Sequence, residues 1–126
     1  MLEVIIPKDQ KFQVYENQIK NLYLSNQKLI ADKNSFEFIR DNTLFYLFLF
    51  NEKVIGAIYY FKKDNKLWVN AFSIRKNHLL NLKCLKLSMN WFYCDIWAKA
   101  QNKASAFCLL RIGFKKYQDN IYVYKN

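Results

Sequence analysis

The chain is 126 residues long, with 52% apolar and 18% aromatic side chains, enough to build a core and too many for a disordered segment. No apolar run approaches the roughly 18 residues that cross a bilayer, and the longest, Leu44 to Phe50, is the size of a strand. The net charge of +10 is unevenly placed: residues 1–52 carry a net −1 and residues 53–126 a net +11.

Taken in order, Leu2 to Ile6 is a short apolar run stopped by Pro7, the only proline, and predicts an edge strand. Tyr15, Ile19, Leu22, Leu29 and Ile30 recur on one helical face. Asn34-Ser35 supplies a cap for a short second helix containing Phe36, Phe38 and Ile39. Leu44 to Phe50 predicts a strand buried on both faces. Turns at Asn51-Glu52-Lys53 and Lys63-Asp64-Asn65-Lys66 lead into strands over Val54 to Phe61 and Leu67 to Ile74, an antiparallel meander.

A polar stretch, Arg75 to His78, then opens a helix on which Leu82, Leu85, Met89 and Phe92 form the expected inward face and Lys83, Lys86 and Asn90 the outward one. Asp95 to Ala98 predicts a short strand. Ala104 to Ile112 predicts a helix closed by Gly113, where a left-handed backbone suits glycine. Phe114 to Tyr117 and Ile121 to Tyr124 complete a hairpin around Asp119-Asn120. The order is β-α-α-β-β-β-α-β-α-β-β, an α/β fold with a mixed sheet, expected to form a single domain over residues 1–126.

Three cysteines without C-x-x-C spacing and one histidine argue against a zinc site and for reduced thiols. No metal is expected. The sequence near Met1 has no basic stretch followed by an apolar one, so the expected location is cytoplasmic. The basic half suits polyanions: a phosphorylated cofactor, a nucleic acid or an acidic protein. Trp68, Trp91 and Trp97 near lysines raise base stacking as one reading, with core packing as the other. The sequence leaves oligomerisation open.

The segment Asn102-Lys-Ala-Ser-Ala-Phe-Cys-Leu-Leu-Arg-Ile-Gly-Phe114, set late in this element order, resembles the GNAT N-acetyltransferase superfamily over nearly the whole chain. The resemblance implies acetyl-CoA held in a split between the fourth and fifth strands, with its pyrophosphate at the start of the third helix. Cofactor-binding residues would then be Phe72, Ser73 and Ile74 at the end of the fourth strand, Arg75, Lys76 and Lys83 by charge, and Asn102. His78 is the candidate base, since histidine exchanges a proton near neutral pH, and Ser105 the candidate to take over part of the acid's role. The acceptor would be an amine.

Three positions depart from the family pattern. Its glycine-rich pyrophosphate loop has no counterpart, because no glycine lies between residues 57 and 112. The place of its tyrosine acid is held by Leu109, and the strand Leu67 to Ile74 has no carboxylate. Two readings follow. One is an acyltransferase that holds phosphates through side-chain charge. The other is a non-catalytic module of the same fold that binds nucleic acid or an acidic partner through its basic half.

Overall fold

Each predicted turn closes because an Asn, Asp or Glu takes up a left-handed backbone. Asn51 and Glu52 have φ of 51° and 65°, Asp64 and Asn65 have 55° and 59°, and Asp119 has 46°. Consecutive positive φ values match the right-handed twist of paired strands and make tight hairpins. A computed structural model describes residues 1–126.

The elements are β1 (Leu2–Ile5), α1 (Phe12–Ile30), α2 (Phe36–Asn42), β2 (Leu44–Phe50), β3 (Lys53–Lys63) and β4 (Lys66–Ser73). A short 3₁₀ turn (Arg75–Asn77) then leads to α3 (His78–Met89), β5 (Ile96–Lys99), α4 (Lys103–Arg111), β6 (Lys115–Gln118) and β7 (Ile121–Tyr124). All seven strands join one sheet in the order β1-β2-β3-β4-β5-β7-β6. Every neighbouring pair is antiparallel except β4 and β5, which run parallel because α3 carries the chain back between them.

Alternation along the strands builds one core on each face of the sheet. On one face α1 and α2 lay Phe12, Ile19, Tyr23, Phe36 and Ile39 against Phe45, Ala57, Tyr59 and Phe72. On the other, α3 and α4 lay Leu85, Met89, Leu109 and Ile112 against Ile58, Tyr60, Leu67 and Ile96. No helix is long and apolar enough to cross a membrane.

The expected faces of α3 are present: Leu85 and Met89 are buried, half-buried Leu82 and Phe92 pack against the same core, and Lys83, Lys86 and Asn90 are exposed, although the helix ends at Met89. Asn81, Cys84 and Ser88 are buried as well. Two polar residues can turn inward: Ser88 is held by the Tyr60 hydroxyl and by Leu85 O at 2.8 Å, and Asn81 opens onto the cleft described below.

Helix α4 starts and ends on explicit signals. The Asn102 side chain accepts from Ser105 N at 2.8 Å, and Ser105 Oγ accepts from Asn102 N at 3.1 Å, a reciprocal cap. At the far end Gly113 takes φ of 112°, which brings its N–H back to Leu110 O and that of Phe114 to Leu109 O.

Candidate functional site

Strands β4 and β5 are in register only at Leu67 with Ile96 and Trp68 with Trp97. β4 continues to Ser73, while β5 stays paired with β7 through Lys99, so the two parallel strands part after their first two pairs. Ile74 N–H donates to Ile55 O at 2.9 Å. Alternation along that ladder turns the N–H groups of Ala71 and Ser73 away from β3 and toward the opening. The Ala71 N–H is taken up by Asn70 Oδ1 at 3.0 Å.

The opening is a cleft of about 290 Å³ among the second half of α1, the end of β4, the start of α3, β5 and the first turns of α4. Its walls are mainly apolar: Leu29, Ile30, Val69, Ala71, Leu82, Leu85, Ala98 and Leu109. Polar groups interrupt them at Asn26, Asn70, Ser73, His78, Asn81, Lys99, Gln101, Asn102, Ser105 and Cys108, and no carboxylate lines the cleft.

Of the residues expected from sequence, Phe72, Ser73, His78, Asn102 and Ser105 border this space. Phe72 does so through its backbone, since its ring is buried against Tyr23, Phe45 and Tyr59 on the opposite face. Ile74, Arg75, Lys76 and Lys83 lie outside the lining. Arg75, Lys76 and Lys83 are exposed around the first turns of α3, where they present positive charge to solvent. That end of α3 has no side-chain cap from Asn77; the 3₁₀ turn before it takes up the N–H groups of Asn77 and His78, on Ile74 O and Arg75 O.

The Ser105 hydroxyl is fully occupied. It donates to Asn102 O at 3.0 Å and accepts from the N–H groups of Gln101 and Asn102. Its proton is committed to the helix cap, which is the geometry of a structural serine rather than an acid. Asn102 Oδ1 is committed to the same cap.

Two groups that the sequence did not single out as site residues sit in the cleft. Asn81 is 5% exposed; its Nδ2 donates at 3.5 Å to Phe72 O, and its Oδ1 is buried with no partner. A buried oxygen without a donor costs on the order of 1–3 kcal/mol. Cys108 is half-buried, and its Sγ lies 3.3 Å from His78 Nε2. A polar residue on the buried stripe of α3 is the sequence signal that points to Asn81. Nothing in the sequence brings residues 78 and 108 together.

A second cavity of about 500 Å³ opens on the other side of the split and shares Ile30, Val69, Asn70, Lys99 and Gln101 with the first. Asp32, Lys33, Asn34, Lys63, Asp64 and Trp68 give it a polar lining. Its back wall is a chain of hydrogen bonds: Asn70 Nδ2 donates to Tyr59 Oη at 3.0 Å, and Tyr59 donates to Asp32 Oδ2 at 2.6 Å. Burial, reinforced by the Asp32 carboxylate, pushes the Tyr59 phenol far above its ordinary range.

The three tryptophans do not form one surface. Trp68 and Trp97 adjoin at 6.2 Å, with Lys66 Nζ 4.3 Å from the Trp97 ring centroid. Trp91 packs edge-on against Tyr46, which belongs to the core beneath α3.

No family model matches the sequence, and no curated protein matches it. Solved structures do match. An N-acetyltransferase from Staphylococcus aureus Mu50 superposes with a TM-score of 0.71 at 14% identity, covering 99% of this chain and 97% of that one. An acetyltransferase from Agrobacterium tumefaciens strain C58 gives a TM-score of 0.71 at 11% identity, covering 99% and 91%. The PaiA N-acetyltransferase from Thermoplasma acidophilum, in complex with coenzyme A, gives 0.60 at 16% identity, covering 100% and 99%. With the parted parallel strands and the predicted element order, these likenesses show that the chain has the GNAT N-acetyltransferase fold.

Proposed function

We propose that this protein is a GNAT-type acyltransferase that moves an acyl group, acetyl being the simplest, from a coenzyme A thioester to an amine. The observation that carries the reading is the unpartnered Asn81 Oδ1 in a mainly apolar cleft beside the start of α3. A pantetheine arm is a flexible chain with two amide N–H groups. An apolar slot containing one buried acceptor suits such an arm.

Asn81 and the backbone at Ser73 would hold the arm, with Val69, Ala71, Leu82 and Leu85 as its walls. The phosphates would lie at the start of α3, drawn by the helix dipole and by Arg75, Lys76 and Lys83. These charges replace the close backbone approach that glycines permit in the family's loop. When bound, the thioester supplies an acyl carbon already activated for attack by an amine.

The chain's own part is to orient and to move protons. Ser73 N–H faces the split and is the candidate donor to the thioester oxygen. His78, at the cleft mouth, is the candidate to receive a proton. The amine would arrive through the second cavity, which shares part of its lining with the first and sets Asp32 and Asp64 among Lys33, Lys63 and Lys99. A likeness to a coenzyme A complex supports this placement of the donor.

The test is calorimetric titration with acetyl-CoA, CoA and ADP. Micromolar binding of both CoA ligands, tighter than ADP, is the expected result. Absence of heat and of any thermal shift at saturating ligand removes the reading and turns attention to polyanion binding by the basic half, followed across a salt series.

A further inference from the structure

The core beneath α1 and α2 ends at β4: none of its residues comes from β5, β6 or β7. The helices leave that half of the face bare. Register carries one row of side chains across it, pairing Phe61 with Trp68, Trp68 with Trp97, Trp97 with Val123 and Val123 with Lys115. Paired residues point to the same face of a sheet. The row therefore runs over β3-β4-β5-β7-β6, roughly 19 Å at about 4.8 Å per strand spacing. Tyr117, 56% exposed, stands edge-on to Trp97 at 4.9 Å, and half-buried Trp68 flanks the same ring.

Positive charge surrounds these rings. Lys66 Nζ lies 4.3 Å from the Trp97 ring centroid and 5.7 Å from that of Tyr117. Lys63 pairs with Lys66, and Lys99 lies two residues beyond Trp97 on the same side of β5. The ion pairs of the chain use Lys11, Lys20, Arg40 and Lys125, so Lys63, Lys66, Lys99 and Lys115 all lack a carboxylate partner. Asp64 and Asp119 sit in turns at the strand ends, and Asp95 is neutralised by Lys125 at 3.0 Å. A second copy is a poor occupant, because two such faces would bring unpaired lysines together.

We propose that a single-stranded nucleic acid binds along this row, its bases stacked on Trp68 and Tyr117 above Trp97 and its phosphates on Lys63, Lys66, Lys99 and Lys115. A single strand exposes both the faces of its bases and a charged backbone, and proteins that hold one set aromatic rings in a basic groove. A duplex hides its base faces, and an acidic protein offers charge without a series of planar rings. The Phe61–Trp68 end of the row borders the polar cavity, so a strand lying here has one end at that opening. None of these residues is assigned to coenzyme A, and strand binding stands or falls apart from the acyl-thioester reading.

The experiment is fluorescence anisotropy with labelled oligouridine and oligodeoxythymidine of about ten nucleotides, and with a duplex of the same length. Micromolar binding of the single strands is expected, about tenfold tighter than the duplex. Log affinity should fall against log salt with a slope of about −3, at about −0.7 for each lysine contact. Binding of either single strand supports the proposal, and the tighter of the two identifies the sugar.

Tyr117→Ala should weaken the single strands about tenfold and leave the heat of coenzyme A binding unchanged. Lys115→Gln, at an exposed position on the edge strand, should reduce the salt slope by about 0.7 without moving the melting midpoint. Arg75→Gln, at the start of α3, should change neither affinity nor slope. No binding at low salt, duplex bound as tightly as single strand, or affinity lost in Arg75→Gln and kept in Tyr117→Ala overturns the proposal. A dimer in sedimentation that Tyr117→Ala breaks also overturns it and gives the face to a second copy.

Discussion

Tyr59 of β3 and Asn70 of β4 face each other across the ladder, and the Asn70 amide donates to the Tyr59 hydroxyl at 3.0 Å. The same amide reaches Ile30 O at 3.3 Å, and the hydroxyl reaches Asp32 at 2.6 Å. The pair therefore ties the end of α1 to the middle of the sheet at the point where β4 and β5 part. Asn70 lines both the apolar cleft and the polar cavity.

Replacing Tyr59 by Phe removes the hydroxyl and leaves Asp32 and Asn70 each short of a partner. The expected loss is about 1–3 kcal/mol, because buried groups lose their bonds without regaining water. Urea denaturation measures it. A change below about 0.5 kcal/mol, the ordinary scatter of surface substitutions, would show the network to be idle.

The buried phenols also set an alkaline limit. Burial, with help from Asp32, lifts Tyr23 to about 12, and burial moves Tyr59 and Tyr60 higher still; Cys84 rises to about 11. The fold holds each of these groups protonated, whereas the unfolded chain releases the protons at about pH 10 for phenols and about 8.5 for the thiol. Their contribution is therefore complete below those values and is lost as pH rises toward the folded ones. The urea midpoint should be level near pH 8 and fall steeply between about pH 10 and 12. A level midpoint through that window would mean that these groups are solvated.

Gly56 is required by a close approach rather than by a turn. A Cβ there would strike Phe72 O and stand 2.7 Å from Ser73 Cα, both of them backbone of the strand that forms the cleft wall. Gly56→Ala must push β3 from β4 where they are paired as Gly56 with Ser73. The expected cost is about 3 kcal/mol, read as a lowered melting midpoint. A variant as stable as the parent would contradict the packing described.

Asn81→Leu separates fold from ligand. Leucine has the same branching and heavy-atom count and removes an unpartnered oxygen, so stability should be unchanged or raised, as when a buried polar group becomes apolar. Affinity for coenzyme A should fall about tenfold, the worth of one hydrogen bond near 1.4 kcal/mol. Loss of stability without loss of affinity would assign Asn81 to the core alone.

Much of the fold was legible because its signals are local. Asn51, Asp64, Asn65 and Asp119 mark the turns, Ser35 and Asn102 the helix starts, and Gly113 a helix end. Strand and helix order followed, with ends displaced by a residue or two; β5 is Ile96–Lys99 rather than Asp95 to Ala98. The inward face of α3 was legible in Leu85 and Met89, but not in Asn81 and Ser88, which take buried places beside them. Of the residues singled out in the sequence, Ser73, His78 and Asn102 border the cleft. What was not legible is contact between distant elements. Cys108 becomes a partner of His78 only once α3 and α4 lie side by side, and Ser105 loses its chemistry only once its hydroxyl is seen in the cap.

The central claim is that the parted strands β4 and β5 form a coenzyme A cleft. It is tested most directly by assigning the backbone amide spectrum and titrating the protein with CoA. The account predicts saturable shifts at Ala71 to Asn81 and at Lys99 to Cys108, with β1 and α2 unmoved. Shifts confined to another face, or none at millimolar ligand, would contradict it.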